Sequence, residues 1–228
     1  FGSVTLSSSG SAATANAGSY NITASGAAKG TFTARNYNIS YANGTLTVTP
    51  ANITVTANDQ SRTYGGSNPT SGNVTVTSGQ LYNSDTLGTA SVASVANATS
   101  NVGNYTFTAS AQPFSNGTAS NYNISYVAGN LSVTQANLTI TANSTSTQYG
   151  LGTTLGTTNF TAVGLQNGET VGNVTLASNG SAVTANAGSY NITASGAANG
   201  TFSASNYDIS YTNGTLTVTP ADITVTGI

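Results

Sequence analysis

The chain has 228 residues, three basic and five acidic side chains, a net charge of −2, and no Cys, Met, Trp or His. Three cations cannot build the basic patch that neutralises nucleic-acid phosphates or holds an anionic membrane surface. Without His or Cys there are no imidazole or thiol ligands for zinc, iron or copper, no imidazole or thiol catalysis, and no disulfide framework to report the redox compartment.

A repeat organises everything else. Tyr20, Tyr105 and Tyr190 are 85 residues apart, and Tyr37, Tyr122 and Tyr207, Tyr41, Tyr126 and Tyr211, and Leu46, Leu131 and Leu216 keep the same step. Residues 1–58 match 171–228 at 45 of 58 positions, so the array alternates two unit types, and recent duplication accounts for it. Pro50-Ala51, Gln135-Ala136 and Pro220-Ala221 mark equivalent junctions. The predicted organisation is therefore 1–50, the C-terminal part of one unit; 51–135 and 136–220, two complete units; and 221–228, the first strand of a following unit. The chain opens at Phe1 and starts and stops inside repeats, as a window on a longer protein would. A period this long exceeds one coil of a solenoid and suits a small β domain.

In chain order, residues 1–50 end in two alternating runs around Asn43-Gly44, which predict a hairpin because both turn residues tolerate φ > 0. Leu46 and Val48 face inward before Pro50, and Ile53 and Val55 after it. The odd spacing from Val48 to Ile53 flips the inward face at the junction, and Pro50 removes a ladder donor there. A linker this tight predicts a stiff rod rising about 30–45 Å per unit. In the last complete unit, Ala136–Ala142 reads as a strand with Leu138 and Ile140 inward, followed by Gln148-Tyr149-Gly150. Phe160–Val163 reads as a short strand and 164–168 as a turn. Val174 and Leu176 then alternate with polar neighbours, and 189–194 places Tyr190 and Ile192 on one face. Residues 206–211 place Tyr207, Ile209 and Tyr211 on one face, Asn213-Gly214 supplies a second hairpin turn, and Leu216 and Val218 face inward. No segment holds a 3.6-residue period. The predicted fold is all-β: a tandem array of small β-sandwich-like domains, Ig-like or β-grasp-like.

The run NYNISYANGTLTVTPANITVTANDQSRTYGG (36–66) recurs in part at 121–150 and 206–220. It resembles the MBG/YDG-type repeats of large bacterial surface adhesins, including filamentous-haemagglutinin-like proteins. The resemblance implies secretion, cell-surface display and a stalk role, and no particular ligand. It also implies an acidic residue in the loop at 167–170, kept here as Asp85 and Glu169.

Each candidate site has two readings. Asp85 and Glu169 are calcium ligands at a domain junction or caps of their own turns. One acid per unit is short of the six to eight oxygens calcium takes, which favours capping. Asp208 and Asp222 replace Asn38 and Asn52 of the sister segment, so they read as exposed strand positions and not as paired catalytic acids. The tyrosines are a sugar-stacking platform or core residues whose hydroxyls reach the rim, and their alternation with Ile favours the core. Asn-X-Ser/Thr sequons number 18, among them Asn21, Asn43, Asn116, Asn191 and Asn213. They are glycosylation acceptors or motifs copied with the repeat. Ile223, Val225 and Ile228 are candidate strand-donor residues, placed to complete the open unit at 1–50 of a neighbouring chain.

The sequence thus predicts an extracellular, non-catalytic structural segment, a stalk or fibre-forming module of a bacterial surface adhesin or filament. Its expected partners are neighbouring repeats and, through self-assembly, other copies. No cofactor is expected. The rival reading is a carbohydrate-binding adhesive module using exposed Tyr and Asn.

Overall fold

A computed structural model describes residues 2–28 and 30–227. It is all-β, with five single-turn 3-10 segments and no α-helix among the described residues. The chain forms two compact units. The first contains Phe1–Gln60, Pro69–Ser94 and Thr106–Asn130, and the second Ser61–Asn68, Val95–Tyr105 and Leu131–Ile228.

The second unit holds the whole third repeat, which carries two mixed sheets. In one, Ala136–Ala142 lies between Phe160–Val163, antiparallel, and Tyr207–Thr212, parallel. The other runs in the order Thr145–Gln148, Gly214–Thr219, Gly188–Gly200, Val171–Ala177. The period-2 alternation explains both. Leu138 and Ile140 from the first sheet and Ile192 and Leu216 from the second are fully buried in one core, while the Thr residues between them face outward or sit half-buried. Burying each such side chain contributes about 1.5–3 kcal/mol. The expected strands Ala136–Ala142 and Phe160–Val163 are present with those bounds.

The first unit contains the sheet Tyr122–Val127, Ala51–Ala57, Val74–Ser78, built around Ile53, Val55 and Tyr122. It also contains the three-stranded sheet Ser3–Ser7, Gly18–Ala28, Gly44–Val48. The switch of inward face predicted at Pro50-Ala51 is present, and the same switch occurs at Gln135-Ala136. Leu46 and Val48 give way to Ile53, Val55 and Ala57, and Leu131 and Val133 to Ala136, Leu138 and Ile140. Residues 221–227 are not in a strand, Ile223 and Val225 are exposed, and Ile228 lies outside the described residues.

The hairpins expected at Asn43-Gly44 and Asn213-Gly214 do not form. Tyr207–Thr212 pairs with Ala136–Ala142, whereas Gly214–Thr219 pairs with Gly188–Gly200 and Thr145–Gln148 in the other sheet. None of these four turn residues has a positive φ. Gly214 is needed for a different reason. A Cβ there would stand 2.4 Å from the carbonyl oxygen of Ala142, so the chain crosses between sheets where only glycine fits.

Candidate functional site

The site is built from two features the sequence repeats but does not connect: the Tyr-Gly pair and the lone acid. Residues 166–169 form a tight turn in which Glu169 N–H donates to Gln166 O at 2.9 Å. Both central residues, Asn167 and Gly168, have φ > 0, which defines a type I′ turn. The turn presents the Glu169 carboxylate to two buried phenols. Tyr64 donates to Oε1 and Tyr207 to Oε2, each at 2.5 Å. The two rings meet edge to face with centroids 5.6 Å apart. Tyr207 belongs to the same repeat as Glu169, and Tyr64 to the repeat before it. A carboxylate only accepts, and each of its oxygens takes one phenol proton, so a single acid clasps two repeats inside the second unit.

The surroundings lock this clasp. Gln166 N–H donates to the Tyr207 hydroxyl at 2.9 Å, and Tyr64 N–H to Thr134 O at 2.8 Å. Gly65 adopts φ +81°, and a Cβ there would lie 2.4–2.7 Å from the Gln166 side chain, so the Tyr-Gly turn sits flush on the acid-bearing loop. Asn206, 1% exposed, accepts from Val102 N–H at 3.0 Å and donates to Asn101 Oδ1 at 2.9 Å. Burial first, and the bond to Glu169 second, push the Tyr207 hydroxyl up to about 12; the same two causes raise Tyr64.

The first unit contains the matching half. Asn83 and Ser84 both have φ > 0, and Asp85 N–H donates to Tyr82 O. Asp85 Oδ2 accepts from Tyr122 at 2.8 Å. Asn121 accepts from Ala17 N–H and donates to Asn16 Oδ1, as Asn206 does with Val102 and Asn101. Burial raises the Tyr122 hydroxyl as well, with the Asp85 bond a lesser cause.

Turns form at both acids, but the carboxylates reach tyrosine hydroxyls and do not cap their own turns. No cluster of three or more metal-ligating side chains exists among the described residues. Tyr20, Tyr105 and Tyr190 are half-buried, and each donates to the carbonyl four residues earlier, at Asn16, Asn101 and Asn186. Tyr122 and Tyr207 are buried. The core reading fails for Tyr41, Tyr126 and Tyr211. They are about 40% exposed and accept from the backbone N–H of Ala27, Gln112 and Ala197. Asn21, Asn43, Asn116, Asn191 and Asn213 are all exposed, with Asn116 donating to Ser84 O. Asp208 and Asp222 are exposed.

Sequence reasoning missed Asn121, Asn206 and Arg62. Arg62 is buried and donates to Asn68 Oδ1 and to the carbonyls of Thr63 and Asn97. The available signal was numerical: the Asn16–Asn121 and Asn101–Asn206 pairs have the same separation of 105 residues.

The MBG domain (YGX type) matches residues 2–47, 53–132 and 138–217. The chain belongs to that family and carries its domain three times in tandem, with Tyr64-Gly65 and Tyr149-Gly150 as the tyrosine–glycine pairs of the last two copies. No curated protein sequence matches it. Among the described residues no helix is long and apolar enough to cross a membrane.

Proposed function

We propose that this chain is a structural, non-catalytic segment of a bacterial extracellular adhesin or surface filament, in which stacked MBG repeats act as a spacer. The observation that carries the reading is the clasp: Glu169 joins Tyr64 of one repeat to Tyr207 of the next through two short hydrogen bonds. Bonds to a charged acceptor contribute about 1.5–3 kcal/mol each when buried. A junction stapled this way resists bending and passes tension from one repeat to the next. The outward Thr, Ser and Asn keep such an array soluble with almost no charge, and they permit close lateral packing into filaments.

Single-molecule pulling on the chain, tethered at both ends, tests the role. The spacer reading expects the third repeat to unfold at a distinct force that falls when Glu169→Ala opens the clasp. Unfolding without a resolvable force peak, or saturable binding to glycans on an array, would favour the carbohydrate-binding alternative.

A further inference from the structure

A ladder that runs on in the third repeat is broken in the second. In the third, Gly188–Gly200 is a single strand, paired with Val171–Ala177 from Thr193 through to Gly200. In the second, the matching ladder stops at the pair Ser110–Ser91 and resumes at Phe114–Leu87. The far piece, Thr86–Leu87 against Phe114–Asn116, is a separate two-stranded ribbon. Its two strands are interrupted at the same level, at residues 88–89 and 111–113.

The break is made by residues the other repeats lack. Where they have Gly26-Ala27 and Gly196-Ala197, the second repeat has Ala111-Gln112. Ala111 holds φ +47° where both glycines hold +60°, a left-handed conformation that is costly for a residue with a Cβ. Gln112 is buried. Its N–H donates to the Tyr126 hydroxyl at 2.9 Å, and its Nε2 donates to Gly88 O at 2.8 Å and to Pro113 O at 2.7 Å. Pro113 has no N–H to give a ladder, and the Gln112 amide grips the facing strand in its place. Exchanging the two amide atoms would set an acceptor against two carbonyls, so the orientation is fixed. Oε1 is then buried and accepts no hydrogen bond among the described residues. Two unfavourable features therefore sit on adjacent residues of the closed state.

The ribbon itself coheres. The Thr86 and Ser115 hydroxyls are 2.7 Å apart, Asn116 Nδ2 donates to Ser84 O at 2.8 Å, and Gly88 N–H donates to Pro113 O at 2.9 Å. It meets the core beneath through few groups. Leu87 and Phe114 lie half-buried against Ile53, Val55 and Tyr122, with the Phe114 and Tyr122 rings stacked at 5.2 Å, and Asp85 takes the Tyr122 proton.

We propose that residues 84–88 and 113–117 form a flap that opens as one body about the two interruptions, with Gln112 as its latch. Opening relaxes Ala111 and lets water reach Gln112 Oε1, and it gives up the latch, the Asp85 bond and the packing of two half-buried side chains. The inference is independent of the spacer role, since it concerns a local motion within the first unit.

Amide hydrogen exchange of the intact 228-residue protein, resolved residue by residue by NMR, tests it. The protected amides of residues 86–88 and 114–116 are expected to exchange together, at least about tenfold faster than those of Ala51–Ala57. Gln112→Glu keeps the shape of the side chain but sets a carboxylate against the Gly88 and Pro113 carbonyls. At neutral pH it speeds flap exchange a further tenfold or so relative to the parent, while unchanged protection of Ala51–Ala57 shows that the variant is folded. The excess shrinks as the pH falls and the carboxyl regains a proton to donate. Three results overturn the proposal: flap amides as slow as those of Ala51–Ala57, the two flap strands exchanging at unrelated rates, or a folded Gln112→Glu protein exchanging like the parent. The first two are decided on the parent protein alone.

Discussion

The tyrosine hydroxyls that form hydrogen bonds fall into three uses, and the partner decides which. Tyr20, Tyr105 and Tyr190 tie down the turn just before their own strand. Tyr41, Tyr126 and Tyr211 hold a backbone N–H on the surface. Tyr64 and Tyr207 give their protons to Glu169, and this last use carries a pH dependence. Both hydroxyls are raised above the ordinary 10.0, Tyr207 to about 12. A raised pKa means the folded state holds the proton more tightly than the unfolded chain. The resulting stabilisation is complete below about pH 10 and is lost as the pH climbs from 10 towards 12. Urea unfolding followed at a series of pH values should show that loss in the third repeat, and Tyr207→Phe should flatten it. Recurrence of Tyr-Gly and of the acid was legible in the sequence. Their meeting was not, since Tyr64 and Glu169 are 105 residues apart and no local pattern encodes a contact at that distance.

At the scale of elements, alternation located the strands but not their partners. Period 2 fixes which side of a strand is buried and leaves open which strand lies beside it. Ala136–Ala142 was therefore recognisable, while its parallel pairing with Tyr207–Thr212 was not. The Asn213-Gly214 pair misled for the same reason. It follows one alternating run and precedes another, yet the two runs belong to different sheets. The physical role of Gly214 makes a sharp prediction. Gly214→Ala drives a Cβ against the Ala142 backbone at 2.4 Å and should destabilise the third repeat by roughly 1–3 kcal/mol. Gly44→Ala, at the equivalent position, meets nothing closer than 3.6 Å and should change stability by less than about 0.5 kcal/mol. Thermal unfolding of the two variants checks both. The contrast arises because the Ala142 backbone crowds Gly214, whereas a Cβ at Gly44 meets only the Ile22 side chain at ordinary contact distance.

For the molecule as a whole, the 85-residue period and the switch of inward face at Pro50 were readable from the sequence, and the structure shows that switch at Pro50 and at Gln135. At Gln135 the chain changes its buried face between Val133 and Ala136, and both pack into one core. Beyond that covalent link, the second and third repeats are joined inside the second unit by the clasp, by the bonds of Asn206 to Asn101 and Val102 beside it, and by shared packing. A double-mutant cycle measures the clasp directly. Tyr64→Phe, Glu169→Ala and the combined variant would be compared for the unfolding free energy of the third repeat. A coupling of about 1–3 kcal/mol between the two sites is expected. Strict additivity, with the double variant equal to the sum of the two single ones, would contradict it.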